Sequence, residues 1–376
     1  MATLSREELC SKIREAIAAF AIEGEPVSYD LYGSGHINDT HLLITKTADG
    51  AECRYILQRI NHVVFPHPEE VMENILGVTS HLARSIAARG GDVKRETLTV
   101  VPTHEGAPYY RDSIGSFWRV YLFIENNLSL DKVETPHQFY QSAVAFGRFQ
   151  SQLSDFPAET LHEAIVDFHN TPVRYQNLER AIREDVCGRA AEVAEEIAFA
   201  AARRDFCETL YRAHAEGKLP LRVTHNDTKL NNILFDADTK EPLCVIDLDT
   251  IMPGFSVNDF GDSIRFGATT AAEDECDLTK VNIDLGLFET FARGFIEGCD
   301  GRLTAEEIAL LPVGAKMMTL ECGMRFLTDY LAGDTYFRIH REKHNLDRAR
   351  NQFRLVASME EHWDEMCAIV ARLANA

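Results

Sequence analysis

The chain has 376 residues, of which 45% are hydrophobic and 26% are charged, a composition typical of a folded globular protein rather than a disordered or fibrous one. Asp and Glu number 59 against 38 Lys and Arg, so the formal net charge is −21. A surface of that charge repels nucleic-acid phosphates and anionic lipid, which argues against nucleic-acid and membrane partners. A small anionic substrate stays open, provided that a metal or a few basic residues neutralise its charge locally.

Three features of the sequence bear on its location and size. No apolar stretch approaches the ~18 residues that a membrane helix needs, and charges occupy the N-terminal segment where a signal peptide would be apolar. The nine cysteines are scattered, odd in number and without a CxxC pair, which indicates reduced thiols. We therefore expect a cytoplasmic protein, and its length predicts two domains or one domain in two lobes.

The first third of the chain is predicted to be rich in β-strands. It opens with helical spacing over 5–22, where Ser5 and Glu8 form a capping box. Short runs of β-branched and aromatic residues then alternate with turn residues, which is the pattern of an antiparallel meander. The predicted strands cover 27–45, 52–60, 97–102 and 117–124, and a helix is predicted at 69–88.

The rest of the chain is predicted to be mostly helical. The polar, turn-prone Glu125-Asn126-Asn127 marks the boundary, and one β-like island interrupts the helices at 222–251. We therefore expect an α+β fold with a small, β-rich N-terminal lobe over 1–125 and a larger, mostly helical C-terminal lobe over 126–376. The predicted helices of the second lobe cover 136–154, 174–217, 283–298, 304–332 and 346–373.

The β-like island carries the side chains that phosphoryl transfer requires. The transition state is loose and highly charged, so an enzyme contributes positioning and charge neutralisation rather than covalent chemistry. Asp227 can orient an attacking hydroxyl and accept its proton, and Lys229 can reach the transferred phosphoryl group. Asn232 and Asp247 offer oxygen ligands for a metal ion that bridges nucleotide phosphates. His225 would hold the loop by hydrogen bonds.

The spacing of these residues predicts how they come together. Asn232 and Asp247 are equidistant from the middle of the turn at 236–242, so an antiparallel hairpin would place them opposite each other at its open end. Asp249, on the same strand face as Asp247, is a second candidate for metal or substrate binding. Asp259 belongs to an Asp-Phe-Gly triplet, but it lies farther along the chain, and we interpret it as a structural anchor of the catalytic loop.

The same motifs carry a family resemblance. HNDTKLNNIL followed by IDLDT resembles the aminoglycoside phosphotransferase and choline kinase superfamily, whose members have a protein-kinase-like two-lobed fold. The similarity is closer still to the N-acetylhexosamine 1-kinases, and it extends over most of the chain. It includes YGSGHIN, RYILQRIN, FWRVYLFIE, FHNTP, DFGDSIRFGA and ECGMRFLTDYLAGDTYF.

The resemblance implies an ATP- and Mg²⁺-dependent kinase that phosphorylates the anomeric hydroxyl of N-acetylglucosamine and N-acetylgalactosamine. It implies that Asp227 is the general base and that Asp247 holds the metal. It also implies that His36, Arg325 and Tyr336 contact the sugar. The C1 hydroxyl is more acidic than an ordinary alcohol, so an ordinary carboxylate would suffice as the base.

The resemblance also places the nucleotide, which we expect between the two lobes. The turn Gly33-Ser34-Gly35 lies between two predicted strands, and we weigh a bare turn against a loop that covers the phosphates. The adenine would lie against a hinge that includes Phe123 and Glu125.

Gln58 departs from the superfamily pattern. Members usually have a lysine at this strand position to hold the α- and β-phosphates, and a glutamine brings no charge. Lys229, Arg59 or the metal would supply the missing positive potential. The glutamate that usually pairs with the lysine is left open, because three lie near the expected place: Glu69, Glu70 and Glu73.

Two other functions stay open. A kinase of a different small alcohol, such as choline, homoserine or an aminoglycoside, is the first, and a choline site would need an aromatic cage for its quaternary ammonium. A non-catalytic nucleotide-binding protein is the second. It would account for Gln58 but not for the intact Asp227, Asn232 and Asp247.

Overall fold

The order of helices and strands in the computed structural model, which describes residues 5–33 and 37–375, confirms the predicted α+β fold. The strands are β1 (Glu25–Leu31), β2 (Asp39–Lys46), β3 (Glu52–Ile60), β4 (Val100–Val101), β5 (Tyr110–Arg111), β6 (Phe117–Leu122), β7 (Asn127–Ser129), β8 (Arg222–Thr224), β9 (Ile233–Asp236), β10 (Pro242–Val245) and β11 (Met252–Gly254).

Helices dominate the second part of the chain. They are α1 (Arg6–Ala19), α2 (Pro68–Ala88), α3 (Val93–Glu96), α4 (Pro136–Gln152), α5 (Thr171–Glu184), α6 (Ala194–Ala201), α7 (Arg204–Cys207), α8 (Thr209–Ala215), α9 (Ser256–Gly267), α10 (Leu285–Gly298), α11 (Ala305–Ala309), α12 (Leu311–Leu331), α13 (His344–Glu361) and α14 (Trp363–Leu373). In the described part of the chain, no helix combines the length and the apolar character that a bilayer crossing demands.

The predicted meander forms an antiparallel sheet with the order β1-β2-β3-β6-β4, and β5 also pairs with β6. The capping box of Ser5 and Glu8 is present and starts α1. The apolar face of α1, including Ile13 and Phe20, packs on alternate sheet residues such as Leu57. The register between β3 and β6 sets Gln58 opposite Arg119, a pairing that matters for the site described below.

The chain divides into two compact units whose boundary differs from the predicted one. Unit 1 holds the described residues up to Leu128 together with Thr160–Val166 and Leu234–Met252. Unit 2 holds Ser129–Glu159, Asp167–Ile233 and the described residues from Pro253 onward. The sequence assigned everything after residue 125 to the second lobe, whereas residues 126–128 and two further segments, Thr160–Val166 and Leu234–Met252, lie in unit 1.

Side-chain contacts explain why these two segments join unit 1. Asn74, buried on α2, donates one hydrogen bond to the carbonyl of His162 (2.8 Å) and another to that of Ile251 (2.9 Å). The β9–β10 segment is held by the ion pair between Arg95 and Asp236, at 2.9 Å. Sequence periodicity does not reveal such contacts, because each depends on residues far apart in the chain.

Unit 2 is built on helix crossings that only glycine permits. A Cβ atom at Gly147 of α4 would collide with the carbonyl oxygen of Phe295 of α10. A Cβ atom at Gly261 of α9 would collide in the same way with Gly314 of α12. These close approaches fix α9 at the centre of unit 2, and α9 positions the loop that follows β8.

Candidate active site

The loop after β8 is fixed by a buried carboxylate on α9. Asp259 is 1% exposed and accepts hydrogen bonds from the backbone N–H groups of His225 (2.9 Å) and Asn226 (2.8 Å). Gln150 of α4 adds a third donor to the same carboxylate, at 2.8 Å. Asn226 adopts a left-handed backbone, with a φ of 64°. The structure therefore confirms that Asp259 is a structural anchor of the loop that carries Asp227.

A second carboxylate on α9 holds the next part of the loop. Asp262 accepts a hydrogen bond from the backbone N–H of Thr228 (3.0 Å) and forms an ion pair with Arg265, also at 3.0 Å. Burial raises the pKa of Asp262, but the positive charges of Arg265 and Lys229 outweigh burial and lower it overall. The carboxylate is thus held in its charged form beneath the loop.

Asp227 is the carboxylate that this scaffold presents. Its side chain is 26% exposed, and one of its oxygens lies 2.7 Å from the Nζ of Lys229. The amide nitrogen of Asn232 donates to the other carboxylate oxygen (3.1 Å) and to the backbone carbonyl of Asp227 (2.8 Å). The backbone N–H of Asp227 donates to Nδ1 of His225 at 3.3 Å, as expected of a histidine that holds the loop. Asp227 therefore has a fixed orientation and access to solvent.

Lys229 gives this part of the site a permanent positive charge. Burial is the largest single influence and lowers its pKa, but the Asp227 and Asp262 carboxylates together outweigh burial and raise the pKa above the ordinary lysine value. Its side chain remains 44% exposed. An ammonium group that is charged and accessible beside a carboxylate can bind an anionic group that approaches the same carboxylate.

A partly buried histidine, His169, also supports the loop. Nδ1 of His169 lies 2.8 Å from Glu321, and its Nε2 lies 3.2 Å from the carbonyl oxygen of Asn226. Thr171 donates to the second oxygen of Glu321 at 2.6 Å. The signal in the sequence was FHNTP at 168–172, which places a histidine directly before a helix start.

The structure brings Arg325 and Tyr336 together, as their shared role in the resemblance requires. The Arg325 guanidinium lies 5.2 Å from the ring centre of Phe168, 5.5 Å from that of Phe337 and 5.9 Å from that of Tyr336. Within the described residues, no carboxylate forms an ion pair with Arg325. Phe168 precedes His169, so this arginine cluster (Phe168, Arg325, Tyr336, Phe337) adjoins the loop that carries Asp227.

The loop that carries Tyr336 is held by a carboxylate that sequence reasoning missed. Asp329, buried on α12, accepts hydrogen bonds from the backbone N–H groups of Thr335 (2.9 Å), Tyr336 (2.8 Å) and Phe337 (2.9 Å). Asn345 of α13 donates to the same carboxylate at 2.9 Å. An aspartate inside an otherwise apolar helix, just before a Gly-Asp turn, was the available signal.

Asp247 and Asp249 lie in unit 1 and have different surroundings. Asp247 is exposed and has a left-handed backbone, with a φ of 58°. Asp249 is 3% exposed, and its carboxylate contacts Arg119 (2.5 Å) and the amide of Asn38 (2.6 Å). Asp249 was expected to bind substrate or metal, but its carboxylate is engaged by these two residues of the protein.

The prediction that Asn232 and Asp247 are paired strand residues was wrong. The two strands cover only Ile233–Asp236 and Pro242–Val245. Asn232 ends a 3₁₀ turn because its side chain bonds back to Asp227, and Asp247 is two residues beyond its strand, in a left-handed conformation. The hairpin itself was predicted correctly.

Gln58 contacts a buried arginine that the sequence analysis did not consider. Its amide nitrogen donates to the hydroxyl of Thr40 (2.9 Å), and its amide oxygen accepts from Nε of Arg119 (2.9 Å). The other proposed source of positive charge in this unit, Arg59, is paired with Asp39 at 2.5 Å. Burial lowers the pKa of Arg119, but Asp249 and other neighbours raise it above the ordinary value. In the sequence, the overlooked signal for Arg119 was a charged residue within the apolar run FWRVYLFI.

The glutamates near the start of α2 do not reach this strand position as ion-pair partners. Glu73 lies 2.7 Å from Nε2 of His162, on the exposed side of unit 1. In the described residues, no lysine or arginine pairs with Glu69, Glu70 or Glu73. The usual lysine–glutamate pair of the resemblance therefore has no counterpart at these positions.

The residues expected to bind the nucleotide are partly described. Gly33 has a φ of 78°, which suits glycine, whereas Ser34, Gly35 and His36 lie outside the described residues. Phe123 packs edge-on against Tyr32, with 6.0 Å between ring centres.

Two arginines contact the segment after β6 that was expected to form the hinge. Glu125 is exposed and pairs with Arg54, which also lies 5.0 Å from the ring centre of Phe123. Arg95 donates to the carbonyl oxygens of Glu125 and Asn126, each at 3.2 Å.

Asn232, in unit 2, and Asp247, in unit 1, each offer an oxygen of the kind that binds a magnesium ion. Of residues 5–33 and 37–375, no three His, Cys, Asp or Glu side chains group as a metal site. Magnesium needs no such cage, because it binds one or two protein oxygens together with substrate phosphates and water. The amide nitrogen of Asn232 is engaged by Asp227, which leaves its oxygen as a potential ligand, and the Asp247 carboxylate is exposed.

Several solved structures share this fold at low sequence identity. A microcompartment-associated aminopropanol kinase is 16% identical, with a TM-score of 0.60 over 95% of this chain and 98% of its own. An amicoumacin kinase in complex with AMP-PNP, Ca²⁺ and its substrate is 13% identical, with a TM-score of 0.55 over 93% and 96%. An aminoglycoside phosphotransferase from Alicyclobacillus acidocaldarius is 13% identical, with a TM-score of 0.54 over 100% and 97%.

A match to a family model is the more specific finding. The model describes the phosphotransferase enzyme family that includes the aminoglycoside phosphotransferases, and it matches residues 29–294. That range contains both the catalytic loop with Asp227 and the segment with Asp247. It covers more than half of the chain, and the chain therefore belongs to this phosphotransferase family.

Proposed function

We propose that this phosphotransferase is an ATP- and Mg²⁺-dependent kinase that phosphorylates the anomeric hydroxyl of N-acetylhexosamines. The observation that carries the proposal is the setting of Asp227. It is a partly exposed carboxylate on a loop that two buried carboxylates immobilise, and a charged lysine lies 2.7 Å away. A loop with only a structural role would not need an accessible base and an accessible cation side by side.

The proposed mechanism assigns one task to each side chain of the loop. Asp227 accepts a hydrogen bond from the acceptor hydroxyl and takes its proton as the new oxygen–phosphorus bond forms, while the bond between the γ-phosphorus of ATP and its bridging oxygen breaks and ADP leaves. Lys229 donates to the oxygens of the phosphoryl group in transfer, whose charge is spread over its equatorial oxygens. A bound Mg²⁺, held by Asn232 and Asp247, would neutralise charge on the nucleotide phosphates.

The arginine cluster supports a sugar rather than an amine as the acceptor. A guanidinium that has no carboxylate partner repels a cationic acceptor such as choline, ethanolamine or an aminoglycoside. It offers several N–H donors to carbonyl and hydroxyl oxygens, and the neighbouring rings of Phe168, Tyr336 and Phe337 offer apolar faces. An N-acetylated sugar presents an amide carbonyl, hydroxyls and an apolar ring face.

An acceptor panel tests the proposal. Purified protein with MgATP is offered N-acetylglucosamine, N-acetylgalactosamine, choline, ethanolamine, homoserine and kanamycin, and release of ADP is measured. We expect turnover with the N-acetylhexosamines, and ³¹P NMR should show a phosphate on C1. The methyl glycoside of N-acetylglucosamine, whose O1 is blocked, is the matched control and should not react. Turnover of the amines alone would replace the sugar assignment, and no turnover with any acceptor would favour a non-catalytic protein.

A further inference from the structure

The centre of the sheet in unit 1 contains a buried guanidinium. Arg119 is 1% exposed, lies on β6 and forms an ion pair with Asp249 at 2.5 Å. It also contacts Sδ of Met72 at 3.9 Å and lies 5.2 Å from the ring centre of Tyr121. A charge is costly to bury unless it is paired and hydrogen-bonded, so the surroundings of Arg119 are specific to it.

Hydrogen bonds extend from this arginine to two separate segments. On one side, Gln58 accepts from Nε of Arg119 and donates to Thr40, which fixes the guanidinium relative to β2 and β3. On the other side, the Asp249 carboxylate forms an ion pair with Arg119 and accepts a hydrogen bond from the side-chain amide of Asn38. We call these five residues (Asn38, Thr40, Gln58, Arg119, Asp249) the Arg119 network.

The network ends next to two positions that the proposed function uses. Asp249 is two residues after Asp247 and is joined to it through a short 3₁₀ turn, Leu248–Thr250. Asn38 closely follows Gly33 and is fixed in turn by the backbone N–H of Asn61, which donates to its side-chain oxygen at 2.9 Å. The buried cation therefore connects the proposed metal-binding segment to the strands of the sheet.

The contacts of Arg119 also explain why residue 58 has a neutral side chain. Its amide oxygen is the acceptor that Arg119 needs, and a lysine at this position would place a second cation against the guanidinium. A neutral side chain at residue 58 is therefore required by Arg119. The sequence leaves open which residue supplies positive charge near Gln58, and the contacts point to the arginine on the neighbouring strand.

We propose that Arg119 is the positioning residue of the metal-binding segment. It holds Asp249 by a buried ion pair, and in this way it fixes the short turn that carries the exposed Asp247, the residue that would bind the metal. Gln58 sets the direction of the guanidinium. The proposal rests on the proposed function, because it assumes that Asp247 binds the metal. It does not depend on which alcohol is phosphorylated.

The test measures binding of AMP-PNP by calorimetry without any acceptor, over a series of Mg²⁺ concentrations and in EDTA. We expect Arg119→Gln to raise the Mg²⁺ concentration for half-maximal binding about 10-fold or more, as loss of a charged hydrogen-bonded contact does. Affinity for the metal-free nucleotide should stay unchanged. Arg119→Lys, which keeps the charge but loses the Nε donor to Gln58, should fold and show an intermediate shift. Arg111→Gln, on the exposed part of the same sheet, is the matched control and should bind like the unaltered chain.

A second pair of variants tests the role of Gln58. Gln58→Lys should weaken Mg²⁺-dependent binding, and the exchanged pair Gln58→Lys with Arg119→Gln should restore part of it. Stronger binding by Gln58→Lys alone, or equal losses with and without Mg²⁺ in the Arg119 variants, would overturn the inference and leave the proposed function standing. Absence of Mg²⁺-dependent binding by the unaltered chain would remove both.

Discussion

Asp227 and Asp259 show how two aspartates of one segment come to have different roles. Asp259 is almost completely buried and accepts three N–H donors, so its oxygens are used by the protein. Asp227 is partly exposed, and its carboxylate contacts one lysine and one amide. A carboxylate can act on a substrate hydroxyl only if solvent and substrate reach it, and of these two only Asp227 meets that condition.

Asp227→Asn should remove catalysis and leave the fold intact. The amide keeps the size of the side chain but accepts no proton, so we expect kcat to fall by about 10²–10⁴, the usual contribution of a general base. The dissociation constant of AMP-PNP and the melting temperature should change little. Steady-state kinetics and a thermal melt check this. Asp205→Asn, at an exposed site in unit 2, is the control. A near-normal kcat in Asp227→Asn would show that Asp227 is not the general base.

Arg325→Gln should affect the acceptor and not the nucleotide. The variant keeps hydrogen-bond donors but loses the charge and the stacking on Phe168, so we expect the KM for the acceptor to rise about 10–100-fold. The KM for MgATP should stay within about twofold of normal. Arg180→Gln, an exposed arginine on α5, provides the comparison. Equal changes in the two KM values would indicate a general structural defect.

The segment after α12 illustrates how a helix can fix a loop at a distance. Asp329 accepts three consecutive backbone N–H groups, and a carboxylate with several such donors is strongly stabilised in its charged form. Arg325 lies one turn earlier on the same helix. The two residues therefore set the position of Tyr336 relative to the guanidinium.

Asp329→Ala should release this segment and weaken acceptor binding. Three backbone donors and Asn345 lose their acceptor, so we expect a lower melting temperature and a raised acceptor KM. AMP-PNP binding should not change, because the segment belongs to unit 2 and shares no residue with the Arg119 network, which belongs to unit 1. Asp329→Asn retains one acceptor oxygen, so its melting temperature and its acceptor KM should lie between those of the unaltered chain and those of Asp329→Ala. An unchanged acceptor KM in a destabilised Asp329→Ala protein would separate the loop from the acceptor site.

The α4–α10 crossing should be sensitive to added volume. Gly147→Ala places a methyl group against the backbone of α10, so one helix must shift, at a cost of about 1–3 kcal/mol or more. Gly286→Ala, on the same α10, meets only the side-chain end of Asp284 and should cost much less. Urea denaturation of both variants measures the difference, and equal stabilities would contradict the close crossing.

The helices and strands that could be predicted from the sequence are those with one apolar face. The period of α1 and α2, and the alternation in β3, indicated these elements almost to the residue. Helix α9 was missed although its apolar residues recur at helical spacing, because its sequence SVNDFGDSIRFG is rich in Ser, Asn, Asp and Gly, which are typical of loops. In α9 these polar residues are buried and hydrogen-bonded to other parts of unit 2, and a local pattern does not show such contacts.

The candidate site was predictable where chemistry depends on neighbours in sequence. Asp227, Lys229 and Asn232 lie within six residues, and the contacts among them are local. Arg119 and Asp329 were not found, because their partners are brought to them only by folding: Arg119 meets Asp249 across a long stretch of chain. Sheet register and helix packing decide which residues Arg119 and Asp329 contact. A local sequence motif indicates neither of them.

Although the whole chain has a net charge of −21, some of its carboxylates are ion-paired inside the protein. Glu307 is buried and paired with Arg222 at 2.6 Å, and Glu321 is buried beside His169. Burial raises the pKa of each, but the positive or donor groups around them have the larger effect and lower it. Folding therefore holds these groups in their charged form, and the stability of the whole chain depends on their staying ionised.

Acid should therefore destabilise the protein in a way that Glu321→Gln partly removes. A carboxylate whose pKa is lower in the folded state contributes stability above its unfolded pKa, here the ordinary 4.5, and loses that contribution as the pH falls through the folded pKa. Near pH 7 the variant should be less stable by about 1–3 kcal/mol, because His169 and Thr171 lose a charged partner. As the pH falls through the folded pKa, which lies below 4.5, the two proteins should converge, since a protonated glutamate resembles glutamine. Urea denaturation over this pH range measures the difference, with the exposed Glu208→Gln as the control. A difference that stays constant with pH would show that Glu321 contributes through packing and not through its charge.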